Sequence, residues 1–297
     1  MPPKKSKKIS RVALITKRNI AELPRNVKLI KQLVKYLEKK KIEVLFDRNS
    51  AQLIKGKSGH NKDYLLRRAD LAITLGGDGT LLKTARRLSR KKVLILGVNL
   101  GNLGFLSESV PEKLLEDLDN IFKGKYNLDR RTLLRVTVYR NGKKGETYLA
   151  LNDAAINQGA FARLIKLDLE LDGRKVVKFK SDGLIVSTPT GSTAHSLSAG
   201  GPIVHPSIEG LIITPICPSS LSMRPIVIPD NKQLTVRVET QRREESAIIG
   251  LTLDGQDMTI LRYGDKIKFR RSKRSVYLIR TKHRYYKMLR GKLSWGG

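Results

Sequence analysis

One aspartate stands among glycines where an apolar run stops: residues 71–80 read LAITLGGDGT. Gly76, Gly77 and Gly79 let the backbone take positive φ and let a ligand come close to the main chain. Amides in such a turn, at the N-terminus of a following helix, hold phosphate oxygens. Gly76, Gly77, Gly79 and Thr80 are therefore the candidate phosphate-facing group. Asp78 breaks the pattern, because a carboxylate among anion-binding amides repels phosphate unless it holds a metal or accepts a proton. The plainer alternative is a tight strand–helix turn with an incidental aspartate.

A second glycine-rich run, NLGNLGFL at 99–106, carries Phe105, an aromatic able to wall a nucleotide pocket or simply to join the core. Further on, Asn152-Asp153 closes one strand-like stretch, and residues 181–201, SDGLIVSTPTGSTAHSLSAGG, are dense in hydroxyls and small side chains. Small residues let backbone approach a flat ligand, and hydroxyls give hydrogen bonds without charge. Serine-hydrolase chemistry lacks its GxSxG elbow here. The four histidines (60, 195, 205 and 283) show neither HxxH nor HExxH spacing, which argues against zinc.

Elements must carry these groups. RVALIT at 11–16, 42–46, 71–76 and 93–98 are apolar runs of the kind buried on both faces of a parallel sheet. From Val27, Ile30, Leu33, Val34 and Leu37 share one helical face, and Thr80 reads as the N-cap of a helix burying Leu81, Leu82, Ala85 and Leu88. Residues 47–62 show no period and read as a loop. Pro111 opens a helix with Leu114, Leu115, Leu118, Ile121 and Phe122 as its stripe. The order βαβ–loop–βαβ predicts an α/β domain with an open parallel sheet and ligands at its carboxyl edge. Past Tyr126 the period becomes two (LLRVTVY, ETYLALND, LIKLDLELDG, LTVRVET, KIKFR, VYLIR), with turns at Asn141-Gly142 and Asp172-Gly173. That grammar predicts an antiparallel, sandwich-like all-β domain. Residues 285–297 read as a short helix and tail.

Composition narrows the class. With 59 Lys+Arg against 27 Asp+Glu the net charge is +32, which attracts nucleic acid, anionic membrane or phosphorylated ligands. The basic residues, however, are spread over nearly every segment, and aromatics are only 5%, so no recognition helix or stacking platform stands out. One cysteine, Cys217, excludes an internal disulfide and suits a reducing compartment. No apolar run reaches membrane-spanning length, and the basic residues 1–8 read as a tail with no signal peptide.

GGDGT at 76–80, GNLGFL at 101–106, Asn152-Asp153 and DGLIVSTPTGSTAHSLSAGGP at 182–202 together resemble NAD kinases of the bacterial type. GGDGT alone is shared with diacylglycerol kinases, sphingosine kinases and phosphofructokinases. The 182–202 segment is far more specific, and the resemblance runs from the first strand to KLSW near the C-terminus. It implies an α/β domain over 1–125, an NAD-binding β domain over 126–279, and a segment 280–297 that returns to the first. It implies transfer of the γ-phosphate of ATP (in some members polyphosphate) to the 2′-hydroxyl of the adenosine ribose of NAD, with a divalent metal such as Mg²⁺ and no protein metal site identified. Position by position, Asp78 is similar to the catalytic aspartate, with Gly79 beside it at the acceptor ribose. Phe105 is similar to the aromatic near the adenine. Asn152, Asp153, Asp182, Thr190, Thr193, Ala194, His195, Ser198 and Asp254 fall on dinucleotide-binding positions. His195 stands where tyrosine is usual, and Asp153 is one methylene shorter than the usual glutamate. A cytoplasmic homodimer or homotetramer whose neighbouring subunit completes the NAD site is implied as well. The alternatives are a lipid kinase sharing GGDGT and a basic nucleic-acid-binding protein.

Overall fold

The computed structural model describes residues 9–88, 91–101, 104–158, 164–239, 249–281 and 285–294. The basic tail expected at 1–8, positions 102 and 103 of the second glycine run, and the last three residues lie outside the described residues. Two compact units emerge: residues 1–130 with 276–297, and residues 131–275.

In the first unit, β1 (Arg11–Thr16) leads into α1 (Pro24–Lys39) and β2 (Glu43–Asp47). Helix α1 starts three residues before Val27 because Pro24 occupies its first turn, where a missing N–H is harmless. Residues 47–62 are not a plain loop. They contain α2 (Arg48–Ala51) and β3 (Gly59–His60), and α3 (Lys62–Arg68) follows. Both helices are too short to show a period. Their caps fix them: Asp47 accepts from the Ser50 amide, and Asn61 from the Tyr64 amide. Next come β4 (Leu71–Gly76), α4 (Asp78–Ala85), β5 (Leu94–Asn99) and α5 (Leu114–Phe122), the last preceded by a 3₁₀ turn from Pro111. The sheet runs β3-β2-β1-β4-β5 and is parallel throughout. Alternate residues of β1, β4 and β5 (Val12, Leu14, Leu71, Ile73, Leu75, Leu96, Val98) pack with Ile30, Leu33, Val34 and Leu37 of α1 and Leu114, Leu118 and Ile121 of α5. Leu115, expected in that stripe, is exposed. Leu81 of α4 lies against Gly97 from the opposite face. The order in which the chain winds across the sheet reverses between β1 and β4, and the carboxyl ends of those parallel strands flank the crevice where open α/β sheets bind ligands.

The second unit is antiparallel. Its strands are β6 (Asn127–Arg140), β7 (Lys143–Ala150), β8 (Asp153–Gln158), β9 (Ile165–Leu171), β10 (Arg174–Ser181) and β11 (Gly183–Ser187). After the short helix α6 (His195–Ser198) come β12 (Gly210–Ile216), β13 (Ile226–Pro229), β14 (Leu234–Glu239), β15 (Ile249–Leu253), β16 (Asp257–Leu261) and β17 (Lys266–Arg280). One sheet orders β13-β12-β11-β8-β15-β16; the other includes β10-β9-β14-β17. Inward residues of both, among them Ile156, Val186, Ile213, Leu251, Leu167, Val236 and Phe269, form a single core, as a sandwich requires. Asn141-Gly142 and Asp172-Gly173 have positive φ at both residues, as two-residue hairpin turns demand. Strand β17 pairs antiparallel with β14 over 266–269, then parallel with β5 at Tyr277 and Leu278, so its last residues belong to the first unit. Helix α7 (Tyr285–Leu293) closes the described chain.

Candidate active site

The glycine turn is tight because of close approach rather than unusual dihedrals. None of Gly76, Gly77 and Gly79 has positive φ. A Cβ on Gly76 would fall 2.3 Å from the Thr80 hydroxyl oxygen and 3.3 Å from Cβ of Lys17, which follows β1. Gly77, extended, caps α4, and the helix begins at Asp78 rather than after Thr80. Thr80 is the third helical residue, its amide donating to the Gly77 carbonyl at 3.0 Å.

Asp78 does not point at those amides. Its Oδ2 accepts from the Leu106 amide (3.2 Å), and its Oδ1 accepts from the Ser107 amide (3.3 Å) and the Ser107 hydroxyl (2.9 Å). Gly104 lies directly over the carboxylate: a Cβ there would come within 2.4 Å of all three carboxylate atoms. The last amide of the second glycine run, with the amide and hydroxyl of Ser107 just past it, thus balances the charge that the first run could not. An ionised carboxylate has about four acceptor positions, so roughly one remains for a ligand hydroxyl. Phe105, half-buried, sits on the turn that makes these contacts.

In the second unit the small-residue segment folds onto the start of β8. A Cβ on Gly191 would lie 2.3 Å from the Asn152 carbonyl oxygen, so glycine alone permits this approach. The Thr188 amide and the Ser187 hydroxyl donate to the same carbonyl at 2.8 and 3.1 Å. Thr190 opens a 3₁₀ turn ending at Thr193, and Arg131 donates to its hydroxyl at 3.2 Å. Ala194 caps α6, which carries exposed His195 and Ser198. Ser192 is buried and bound to the Pro189 and Val204 carbonyls, a structural role.

Asp254 occupies the hairpin turn between β15 and β16, with φ of 52° at Asp254 and 62° at Gly255. Its carboxylate accepts from the amides of Leu151, Asn152 and Asp153 at 3.1, 2.7 and 3.2 Å. It therefore shapes the Asn152-Asp153 corner from behind. Asp153 is 3% exposed, and its carboxyl is pushed up to about 7, first by burial and then by the negative charge of Asp254.

The structure thus gathers the predicted residues into groups. Gly76, Gly77, Asp78, Gly79, Thr80 and Phe105 meet in the first unit. Asn152, Asp153, Asp254, Thr190 and the Thr193–Ser198 run (Thr193, Ala194, His195, Ser198) lie around one corner of the second. Asp182 stands apart. It accepts from the Gln158 side chain at 2.9 Å at the other end of β11, about 17 Å along the strand from Asp153 at ~3.3 Å per residue. The sequence did not single out Ser107, Arg131 or Arg280. Only Ser107 carried a signal, as a hydroxyl just past the second glycine run.

A doubly wound sheet with a glycine–aspartate turn at its switch point, followed by a β-sandwich with its own small-residue corner, defines a two-domain kinase of the GGDGT type. Residues 12–126 match the ATP-NAD kinase N-terminal domain and residues 151–281 the ATP-NAD kinase C-terminal domain. An NAD kinase of Geotalea daltonii is 42% identical over 92% of this chain and 95% of its own, and one of Geobacter sulfurreducens is 41% identical over the same shares. The chain belongs to the ATP-NAD kinase family. Its fold matches that of a yeast NADH kinase complexed with NADH (TM-score 0.88, 24% identity, 98% of this chain and 89% of that one). An NAD kinase from Archaeoglobus fulgidus in complex with ATP gives a TM-score of 0.74 at 25% identity, over 97% of this chain and all of the other. This membership leaves no support for the lipid-kinase or nucleic-acid alternatives. No helix among the described residues is long and apolar enough to cross a membrane.

Proposed function

We propose that the protein transfers the γ-phosphate of ATP to the 2′-hydroxyl of the adenosine ribose of NAD, and that Asp78 receives that hydroxyl. The observation carrying this reading is the Asp78 carboxylate, fixed by three donors yet left with acceptor capacity beside a phosphate-facing turn. Phosphoryl transfer asks a protein mainly to align two substrates and balance charge. Gly76, Gly77, Gly79 and Thr80 face the donor phosphates. Asp78 orients the ribose hydroxyl and takes its proton late, since a hydroxyl of high pKa is not ionised beforehand. Phe105 walls the adenine; Asn152, Asp153, Thr190, Thr193, Ala194, His195 and Ser198 hold the dinucleotide, with Asp254 fixing the Asn152-Asp153 backbone.

Among the described residues no three His, Cys, Asp or Glu side chains converge as a metal cage. That suits Mg²⁺, which keeps several waters and is held by one or two carboxylates together with substrate phosphates. With the remaining acceptor position of Asp78 given to the ribose hydroxyl, the ion would be held by the donor phosphates and its own waters, and its chemistry would be neutralisation of phosphate charge. The separation of Asp182 from Asp153 in one chain supports a homo-oligomer in which a neighbouring subunit completes the NAD site, and the lone Cys217 supports a cytoplasmic setting.

The test is direct. Purified protein with NAD, ATP and Mg²⁺ is scored for NADP, with diacylglycerol as the control acceptor. Absence of NADP from correctly folded protein, or phosphorylation of the lipid instead, would overturn the reading.

A further inference from the structure

The turn that carries Phe105 is gripped on both of its polar rims. Its amides at Leu106 and Ser107 go to Asp78. Its carbonyls go to Arg280 at the end of β17: Nη2 donates to the Phe105 oxygen (3.3 Å) and Nη1 to the Leu106 oxygen (3.1 Å). The same guanidinium is itself held in place. Its Nε donates to Asp129 Oδ2 at 3.0 Å and its Nη1 to Glu108 Oε2 at 3.3 Å. The Glu108 side chain is 1% exposed, and its Oε1 accepts from the Thr281 amide (3.0 Å) and hydroxyl (2.9 Å). Arg280 therefore spends its planar fork on two carboxylates and two main-chain carbonyls, a set of contacts one ammonium cannot reproduce.

The partners also exclude an ordinary surface ion pair. Asp129, Glu108 and the two carbonyls stand 151 to 175 residues before Arg280 in the chain. The side chain is 15% exposed and sits on a strand end whose neighbours, Tyr277 and Leu278, are registered against Leu94 and Ile95 of β5. A fixed strand thus reaches, through one side chain, the turn whose amides hold the Asp78 carboxylate.

We propose that Arg280 is a positioning residue for phosphoryl transfer, setting the height of the Phe105–Ser107 turn and, through the Leu106 amide and Ser107, the orientation of the Asp78 carboxylate. The proposal rests on the reading of Asp78 as the residue at the acceptor hydroxyl. Two consequences separate it from simple support of the fold. Arg280 acts on the Asp78 side of the reaction, so kcat depends on it. It also acts on Phe105, so KM for NAD depends on it while KM for ATP does not.

The experiment is steady-state kinetics of Arg280→Lys with NAD and ATP varied separately, at a temperature well below its melting transition. The expected result is a fall in kcat of about tenfold or more, a severalfold rise in KM for NAD and a KM for ATP within about twofold of wild type. In a double-mutant cycle with Ser107→Ala, the two losses in kcat should be less than additive, because both pass through Asp78. A lowered melting temperature with kcat and both KM values unchanged would overturn the proposal, as would strict additivity. Should Arg280→Lys not fold, Asp129→Ala frees Nε while leaving the carbonyl contacts, and should lower kcat about threefold; unchanged kinetics there would equally count against it. Asp78→Asn is run beside them. Wild-type turnover in Asp78→Asn removes the reading of Asp78 itself, whereas an inactive Asp78→Asn with a normal Arg280→Lys removes only the role of Arg280.

Discussion

Replacing Asp153 by asparagine should stabilise the protein in a pH-dependent way. Burial and the charge of Asp254 raise the Asp153 carboxyl from 3.8 to about 7 in the fold. An acid whose folded value is raised contributes its full stability below pH 3.8, where it is protonated in both states. That contribution is lost as pH climbs to about 7 and the unfolded chain alone releases the proton. At 1.36 kcal/mol per pH unit, the cost that accumulates between pH 5 and the folded value is about 3 kcal/mol, and it levels off above it. Asparagine mimics the protonated acid in shape and carries no charge to expel. The advantage of Asp153→Asn over wild type should therefore grow by about 3 kcal/mol from pH 5 to pH 8, or ~6–12 °C in melting temperature at about 2–4 °C per kcal/mol. Scanning calorimetry of both proteins across that range reads the difference. A difference that stays flat from pH 5 to pH 8 would show that Asp153 is ionised throughout and that the like-charge corner has been misread.

Three further expectations concern the first unit. Asp78→Asn should lower kcat by roughly 10²–10⁴-fold, as loss of a general base does. It should also cost about 1–2 kcal/mol, because an amide turned toward the Leu106 or Ser107 donors cannot accept from both sides; turnover near wild type in the NADP assay would refute the assignment. Gly104→Ala places a methyl about 2.1 Å from Asp78 Oδ2, so the turn must shift; a loss of about 1–3 kcal/mol in urea unfolding and a fall in kcat are expected, and unchanged kinetics would mean the turn is free to move. The Lys62 ammonium is held below its ordinary value by burial, an effect that Asp47 opposes and that Lys83, Arg87 and Arg86 reinforce. A lysine lowered in the fold costs stability while charged, so Lys62→Met should melt higher than wild type at neutral pH. The gap should narrow toward high pH, where Lys62 loses its proton, and a gap that widens instead would refute the account.

Much of this was legible in the sequence, for physical reasons that differ from place to place. The parallel strands announced themselves because both faces are buried, leaving apolar runs such as 71–76. The hairpins at Asn141-Gly142 and Asp172-Gly173 were readable because few other residues tolerate positive φ. Helices α2 and α3 were missed because one or two turns show no period, and only the caps at Asp47 and Asn61 mark them. In the candidate site the residue types pointed to Asp78, but not to what neutralises it. That depends on Gly104 packing over the carboxylate and on two amides from a loop some 28 residues downstream, and main-chain donors leave no trace in residue identity. Arg280 was invisible for a simpler reason. It is one of 59 basic residues, and only its four partners distinguish it.

The first unit is interrupted: residues 131–275 intervene before Ile279 joins its core and Arg280 reaches the Phe105 turn. During synthesis, β5 leaves the ribosome about 180 residues ahead of Arg280, which at about 5–20 residues per second is a wait of ~9–36 s. Over that interval the nascent first unit lacks β17, which lies beside β5 on the side away from β4, and the Arg280 cation that binds Glu108 and Asp129. The second unit, contiguous in the chain, is complete first. The grip of Arg280 on the Phe105 and Leu106 carbonyls is thereby scheduled last. A chain released early by premature termination would carry the entire GGDGT segment and the Asp78 contacts of Leu106 and Ser107 without the side chain that holds their turn from its other rim.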